Sequence, residues 1–211
     1  MKGQLITMEG IDGSGKSTAI RHIAKRLKEL LPGRRLLLTA EPSDSGAGRI
    51  LRSQILKSMA SEPQPAEHME ELFLFMADHA HHLTQTIIPS LEEGAIVLCD
   101  RYADSTAAYQ GVTLQGIVPD PVQWIRDIYR PWNLTPDRTL LFLLDPEISL
   151  QRISSRPGKE KFERLEFLRQ VDGNFRRLAS IEPERFVMVD AGMGVEEVAK
   201  RAVSSILDIL P

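Results

Sequence analysis

Gly10-Ile11-Asp12-Gly13-Ser14-Gly15-Lys16-Ser17 follows the apolar stretch Leu5-Ile6-Thr7-Met8 and leads into a helical pattern from Thr18 to Leu31. Strand, glycine-rich loop and helix in that order form the context of a phosphate-binding P-loop. The glycines let the backbone turn tightly enough to aim successive N–H groups inward, where the positive end of the following helix completes a concave anion site. Lys16 then reaches the outer phosphates. Ser17 offers a hydroxyl to a magnesium ion carried by the triphosphate, a hard cation that prefers oxygen ligands. Gly10, Gly13, Ser14, Gly15, Lys16, Ser17 and Thr18 together read as a nucleoside triphosphate site.

The apolar runs Gln4 to Met8, Arg35 to Thr39, Ala95 to Cys99, Thr139 to Leu144 and Phe186 to Val189 read as strands. Most are continuously apolar, the pattern of strands covered on both faces, and helical stretches lie between them. The expected fold is therefore α/β: three layers, with a five-stranded parallel sheet between helices. Predicted helices run from Arg49 to about Met59, from Glu67 to about Leu91 with a kink at Pro89, from near Pro121, and from Val195 to Leu210. The polar stretch Ser154 to Glu163, with Pro157-Gly158 at its centre, reads as a mobile flap between two helices.

With 211 residues, 42% of them hydrophobic and 26% charged, the chain has the size and composition of one α/β domain with one well-buried core. No apolar run is long enough to span a bilayer and the first residues lack a signal-peptide pattern, so a cytoplasmic protein is expected. A net charge of −3 gives no basic footprint for a nucleic acid polymer. Cys99, the sole cysteine, ends an apolar strand and reads as a buried core thiol.

Strand three ends in Asp100-Arg101-Tyr102. In an open parallel sheet ligands collect at the carboxyl ends of the strands, which places Asp100 and Arg101 at the same crevice as the phosphate loop. An apolar strand ending in Asp has the form of a Walker B carboxylate, able to hold magnesium directly or through water. The metal set is thus Ser17 and Asp100.

Taken in order, the chain resembles the thymidylate kinases, a branch of the nucleoside monophosphate kinases. The resemblance lies in the loop Gly10 to Thr18, in Thr39-Ala40-Glu41-Pro42, in Leu74-Phe75-Met76-Ala77-Asp78-His79, and in Asp100-Arg101-Tyr102-Ala103-Asp104-Ser105-Thr106-Ala107-Ala108-Tyr109-Gln110-Gly111. A basic flap and Val189-Asp190-Ala191 complete it. It implies a single P-loop kinase domain over residues 1–211, with a mobile lid at about 154–164, that transfers a phosphoryl group from MgATP to dTMP for deoxythymidine nucleotide synthesis. It also implies a homodimer packed through long helices.

The resemblance distributes further roles. Arg101 would capture the acceptor phosphate with its planar fork. Gly13 stands where one branch of the family keeps a catalytic arginine, so that charge is expected from the flap, with Arg156 and Arg152 favoured over Lys159, Lys161 and Arg164. Asp12 would meet the sugar 3′-hydroxyl or the magnesium, supported by Glu41. Phe75 matches an aromatic that stacks on thymine, although a residue in an apolar helix can equally be core. Tyr109 would sit against the sugar, and Ser105, Thr106 and Gln110 would hydrogen-bond the base edge. Ala40 and His79 stand where the family has arginines; Arg49 or Arg52 would cover the first, and neutral His79 would make one bond to the thymine edge. His81 and His82 read as helix-surface residues, with no carboxylate or cysteine at ligand spacing to make a metal site. Two other functions fit the same P-loop: a kinase for another pyrimidine nucleotide or a deoxynucleoside, and a nucleotide-dependent switch. Arg101 argues against a nucleoside acceptor, and the missing Asn-Lys-x-Asp motif argues against a guanine switch.

Overall fold

Alternate side chains of the central strand enter two separate cores, which is why the apolar runs carry almost no polar residues. A computed structural model describes residues 3–55, 64–154 and 164–210. Its strands are β1 (Gln4–Glu9), β2 (Leu36–Ala40), β3 (Ile96–Asp100), β4 (Arg138–Leu143) and β5 (Phe186–Asp190). They form one parallel sheet in the order β2-β3-β1-β4-β5. Leu5, Val97 and Leu141 face one core, while Ile6, Met8, Leu98 and Phe142 face the other.

The second core is closed by α1 (Lys16–Leu30) and α9 (Val195–Leu207), through residues such as Ile23, Leu27, Ala202 and Ile206. The first is closed by α3 (Pro65–His82), α5 (Ala103–Thr113), α6 (Pro121–Tyr129) and α8 (Leu165–Ile181). The remaining helices are α2 (Gly46–Ile55), α4 (Ile88–Glu92) and α7 (Pro146–Ser154). This is the expected three-layer arrangement, and the described residues hold no helix long and apolar enough to cross a membrane.

Two expectations need correction. The outer strands are not covered twice: Leu38 on β2 is 39% exposed and Met188 on β5 is 51% exposed, because a strand at a sheet edge has fewer helices above and below it. The long helix expected from Glu67 to Leu91 is interrupted. Leu83–Ile87 forms a π turn, in which the Ile88 N–H bonds back to the Leu83 carbonyl, before α4 resumes with Pro89 in its first turn. Proline has no N–H to continue the α ladder, and the wider turn upstream absorbs the mismatch. Most of the expected flap, and the end of the helix expected to reach Met59, lie outside the described residues.

Candidate active site

The loop between β1 and α1 closes over its own lysine. Lys16 is 5% exposed, and its Nζ donates to the Gly10 carbonyl at 2.8 Å, the Ile11 carbonyl at 2.9 Å and the Ser14 hydroxyl at 3.3 Å. Burial, and then the neighbouring Arg101 charge, bring its pKa down to about 8. The loop needs glycine for two separate reasons. Gly10 and Gly13 both have positive φ, and a Cβ would stand 2.5 Å from the Phe142 carbonyl oxygen at the first and 2.7 Å from that of Ser149 at the second. No arginine fits at Gly13. The first turn of α1 carries no acidic residue, so its N-terminal partial positive charge is left for an anion.

At the end of β3, Asp100 accepts a hydrogen bond from the Ser17 hydroxyl at 2.7 Å through Oδ2. Its Oδ1 is buried and has no partner among the described residues. Arg101 follows with φ 69, a conformation that a non-glycine residue adopts at a cost of roughly 1 to 3 kcal/mol and that recurs at functional sites. Its N–H is held by the Met8 carbonyl at 3.0 Å, and the side chain turns toward the P-loop. Nη1 reaches the Gly10 carbonyl at 3.5 Å and Ser105 Oγ at 3.2 Å; Nη2 donates to Asp12 Oδ1 and to the Tyr109 hydroxyl. The guanidinium also lies 4.9 Å from the Tyr109 ring centroid. Burial opposes these charges, but Arg101 and Lys16 hold the Asp12 carboxyl below its usual range, while Tyr109 and Asp12 hold Arg101 charged.

Several predicted contacts lie elsewhere. His79, expected at a thymine edge, is fully buried with both ring nitrogens engaged: Nδ1 with Glu41 at 2.9 Å and Nε2 with Asn133 at 3.0 Å. Tyr102, Tyr129 and Trp132 surround its ring at centroid distances of 4.4, 5.0 and 5.4 Å. Glu41, expected beside the sugar, instead turns inward and meets both His79 and His82. His82 is therefore no surface residue: it is 2% exposed and bonds Thr39 through Nε2 at 2.6 Å. The fold also brings Glu41, His82 and Cys99 within 4.8 Å of one another, a carboxylate and a thiol that the spacing along the chain did not offer. Burial pushes the Cys99 thiol up, and its Sγ donates to the Arg101 carbonyl at 3.1 Å. Ser105 is committed to Arg101 and Glu9 rather than to a base edge, and Thr106 is buried beside the Tyr129 phenol.

Two residues went unread in the sequence. Asp78 binds the Ser43 N–H, the Ser43 hydroxyl and the Ser45 hydroxyl, so α3 clamps the whole loop after β2. Glu9, the only charge in β1, is completely buried and accepts from Ser105. A lone carboxylate in an otherwise apolar strand was the available signal.

Two clefts open at the first turn of α1. One, of about 390 Å³, is lined by Gly13, Ser14, Thr18, Arg152 and Met193, and Arg152 donates to the Gly13 carbonyl at 3.4 Å. The other, of about 770 Å³, runs from Ser17 and Asp100 past Ala40 to Arg52. Arg52 is tied to the Pro42 carbonyl and to Asp44, both at 2.6 Å. Gln110 is fully buried, its Nε2 3.5 Å from Glu71, and its Oε1 has no partner among the described residues. Phe75 is half-buried on α3. Arg156, Lys159 and Lys161 lie outside the described residues.

A parallel sheet with a P-loop after its central strand, and an aspartate-arginine pair at the end of the next, defines a P-loop phosphotransferase of the nucleotide kinase type. The thymidylate kinase family model matches residues 8–202. Probable thymidylate kinases of Methanosarcina barkeri and Methanosarcina acetivorans are 44% and 45% identical over 212 aligned residues, covering 100% of this chain and 98% of each relative. One from Natronomonas pharaonis is 40% identical over 98% of both chains. The chain belongs to the thymidylate kinase family.

Proposed function

We propose that this site passes the terminal phosphoryl group of ATP to dTMP, giving ADP and dTDP, with Lys16 and the P-loop holding the donor and Arg101 the acceptor. The observation that carries this reading is a convergence: Lys16 Nζ and Arg101 Nη1 both donate to the Gly10 carbonyl oxygen, at 2.8 and 3.5 Å. Two polyanions meet in line only where cations stand together, and positioning plus charge stabilisation supply nearly all of the catalysis in phosphoryl transfer. A monophosphate has a second pKa of about 6, so at neutral pH it is mostly dianionic and needs no general base. In the free site the Asp12 carboxylate is bonded to Arg101 and Tyr109.

Ser17 Oγ and Asp100 fit a magnesium ion, since both offer hard oxygens and Asp100 Oδ1 is buried without a partner among the described residues. Bound with ATP, the ion would neutralise charge on the phosphate oxygens. Arg152 brings a further cation to the Gly13 side of the loop, and Arg156 would join it from the lid. The Gln110 Oε1 atom is the acceptor that the imide N–H of thymine would meet, with Tyr109 against the sugar and Phe75 stacked on the ring. Arg52 holds the loop that borders the larger cleft. Phe73, 54% exposed on α3, and Ile50, 48% exposed on α2, support a homodimer built on these packed helices. A cytoplasmic location suits the substrates.

The deciding experiment is an ADP-release assay with MgATP and a panel of ribo- and deoxyribonucleoside monophosphates. Preference for dTMP is expected. ATP turnover that ignores every monophosphate would overturn the reading, and preference for a ribonucleotide would overturn the role of Tyr109.

A further inference from the structure

We propose that Glu9 and Ser105 are positioning residues for the acceptor phosphate, forming a buried hydrogen-bond chain that fixes one arm of the Arg101 guanidinium relative to the P-loop. The proposal rests on Arg101 as the grip on that phosphate. Ser105 has one hydroxyl proton, and it is directed to Glu9 Oε2; the oxygen's lone pairs face Arg101 Nη1 at 3.2 Å. Glu9 is completely buried and Ser105 is 8% exposed. The other arm of the fork is held differently. Nη2 meets Asp12, whose side chain is 28% exposed and lies on the loop that must accept phosphate. A substrate oxygen can replace Asp12 at the mouth of the site, while the other arm keeps its buried partner Ser105. The fork therefore keeps its aim while it exchanges partners.

Chain position makes Glu9 suited to this task. It is the last residue of β1 and directly precedes Gly10, the residue whose carbonyl both Lys16 and Arg101 use. The neighbouring main-chain bond from Arg101 N–H to the Met8 carbonyl, 3.0 Å, ties the same two strand ends together. Main chain and side chains thus fix the acceptor arm to the donor loop at two points. The carboxyl group also suits its depth. Its Oε1 has no partner among the described residues, an arrangement costly for a buried anion and tolerable for a neutral acid. Burial, followed by the nearby Asp104 charge, pushes Glu9 well above the usual carboxylate range. A neutral group here stabilises the serine without adding a negative charge where two phosphates converge.

The test is steady-state kinetics on Ser105→Ala, Glu9→Ala, the double variant and Glu9→Gln, with thermal melting to verify folding. Removing a hydrogen bond to a charged group should raise the KM for dTMP about tenfold in Ser105→Ala and Glu9→Ala, leaving the KM for ATP within about twofold. Since both act through one chain, the double variant should be no worse than Ser105→Ala alone, whereas two independent structural defects would multiply. Glu9→Gln keeps an acceptor for the serine proton and should restore near wild-type kinetics. If Glu9→Ala does not fold, Ser105→Ala and Glu9→Gln decide the matter. Multiplying effects, an equal rise in both KM values, or an unchanged KM for dTMP in Ser105→Ala would each overturn the proposal. Arg101→Ala separates the two levels: full activity there overturns the reading of Arg101 itself, whereas its loss beside an unaffected Ser105→Ala overturns only the chain.

Discussion

Arg101 and Asp12 close on each other across the mouth of the P-loop, the guanidinium Nη2 on the carboxylate Oδ1, with the Tyr109 hydroxyl bonded to both. Each side chain keeps some contact with solvent, 21% for Arg101 and 28% for Asp12, so the pair sits at an opening rather than in the core. On the proposed reading, an incoming phosphate would exchange one anion for another on the same arm. The arginine charge would then keep a partner throughout.

Arg101→Ala should therefore remove phosphoryl transfer by at least about a thousandfold, in line with the worth of an arginine in such transition states. ATP affinity should change little, because on the proposed reading Lys16 and the loop amides hold the donor. Equilibrium binding of a fluorescent ATP analogue beside single-turnover transfer measures the two separately; turnover within tenfold of wild type would refute the assignment.

Lys16 gives a proton-linked signature. Its pKa is about 8 in the free site, against 10.5 for an ordinary lysine. Below pH 8 the folded and unfolded chains both hold the proton and the burial penalty is fully present; between about 8 and 10.5 the unfolded chain holds more, so this residue's contribution to stability rises with pH. Phosphates favour the charged form. ATP binding at pH 8 should thus take up about half a proton, and almost none at pH 6.5. Calorimetry in buffers of different ionisation enthalpy reads the number directly, and zero uptake at pH 8 would contradict the buried-lysine account.

The parts legible in the sequence share one property: their meaning is local. Gly10 to Ser17 and the run Ile96 to Asp100 carry their spacing within one strand and one loop, and the fold sets them where that spacing implies. The inner strands were legible for the same reason. What escaped depends on partners far along the chain. His79 and Glu41 are 38 residues apart and His82 and Glu41 are 41 apart; only the packing of α3 against the end of β2 turns an exposed-looking histidine run into a buried cluster. Ser105 shows the same limit, since its proton goes to Glu9, 96 residues away.

The Glu41–His79 pair sets a pH window for stability. Burial works against the charged imidazole, but the Glu41 carboxylate raises His79 above 6.5, and the two histidines hold Glu41 below 4.5. The histidine contribution is fully present below pH 6.5 and is lost as pH rises through its raised folded value. The carboxylate contribution is present above pH 4.5 and is lost on acidification through its lowered folded value. His79→Leu should cost about 3 to 5 kcal/mol near pH 6, the range for breaking a buried pair. The gap to wild type should narrow above the folded histidine pKa. Denaturant melts at a series of pH values from 6 upward supply the comparison, and a gap that never narrows along the series would show that the imidazole acts through packing alone.

Gln110 is the remaining residue proposed to read the base. Its amide nitrogen lies 3.5 Å from Glu71 while its oxygen, fully buried, has no partner among the described residues. An unpaired buried acceptor costs roughly 1 to 3 kcal/mol, and an imide N–H from the substrate would recover that on binding. Gln110→Ala removes both the penalty and the recovery. The KM for dTMP should rise about tenfold while the KM for ATP stays fixed. Gln110→Glu sharpens the test: ionised or neutral, a carboxyl group still offers an acceptor oxygen to the imide N–H, so its KM for dTMP should stay below that of Gln110→Ala. Equal losses for dTMP and ATP in either variant would place Gln110 in the scaffold and leave the base to be read by other side chains.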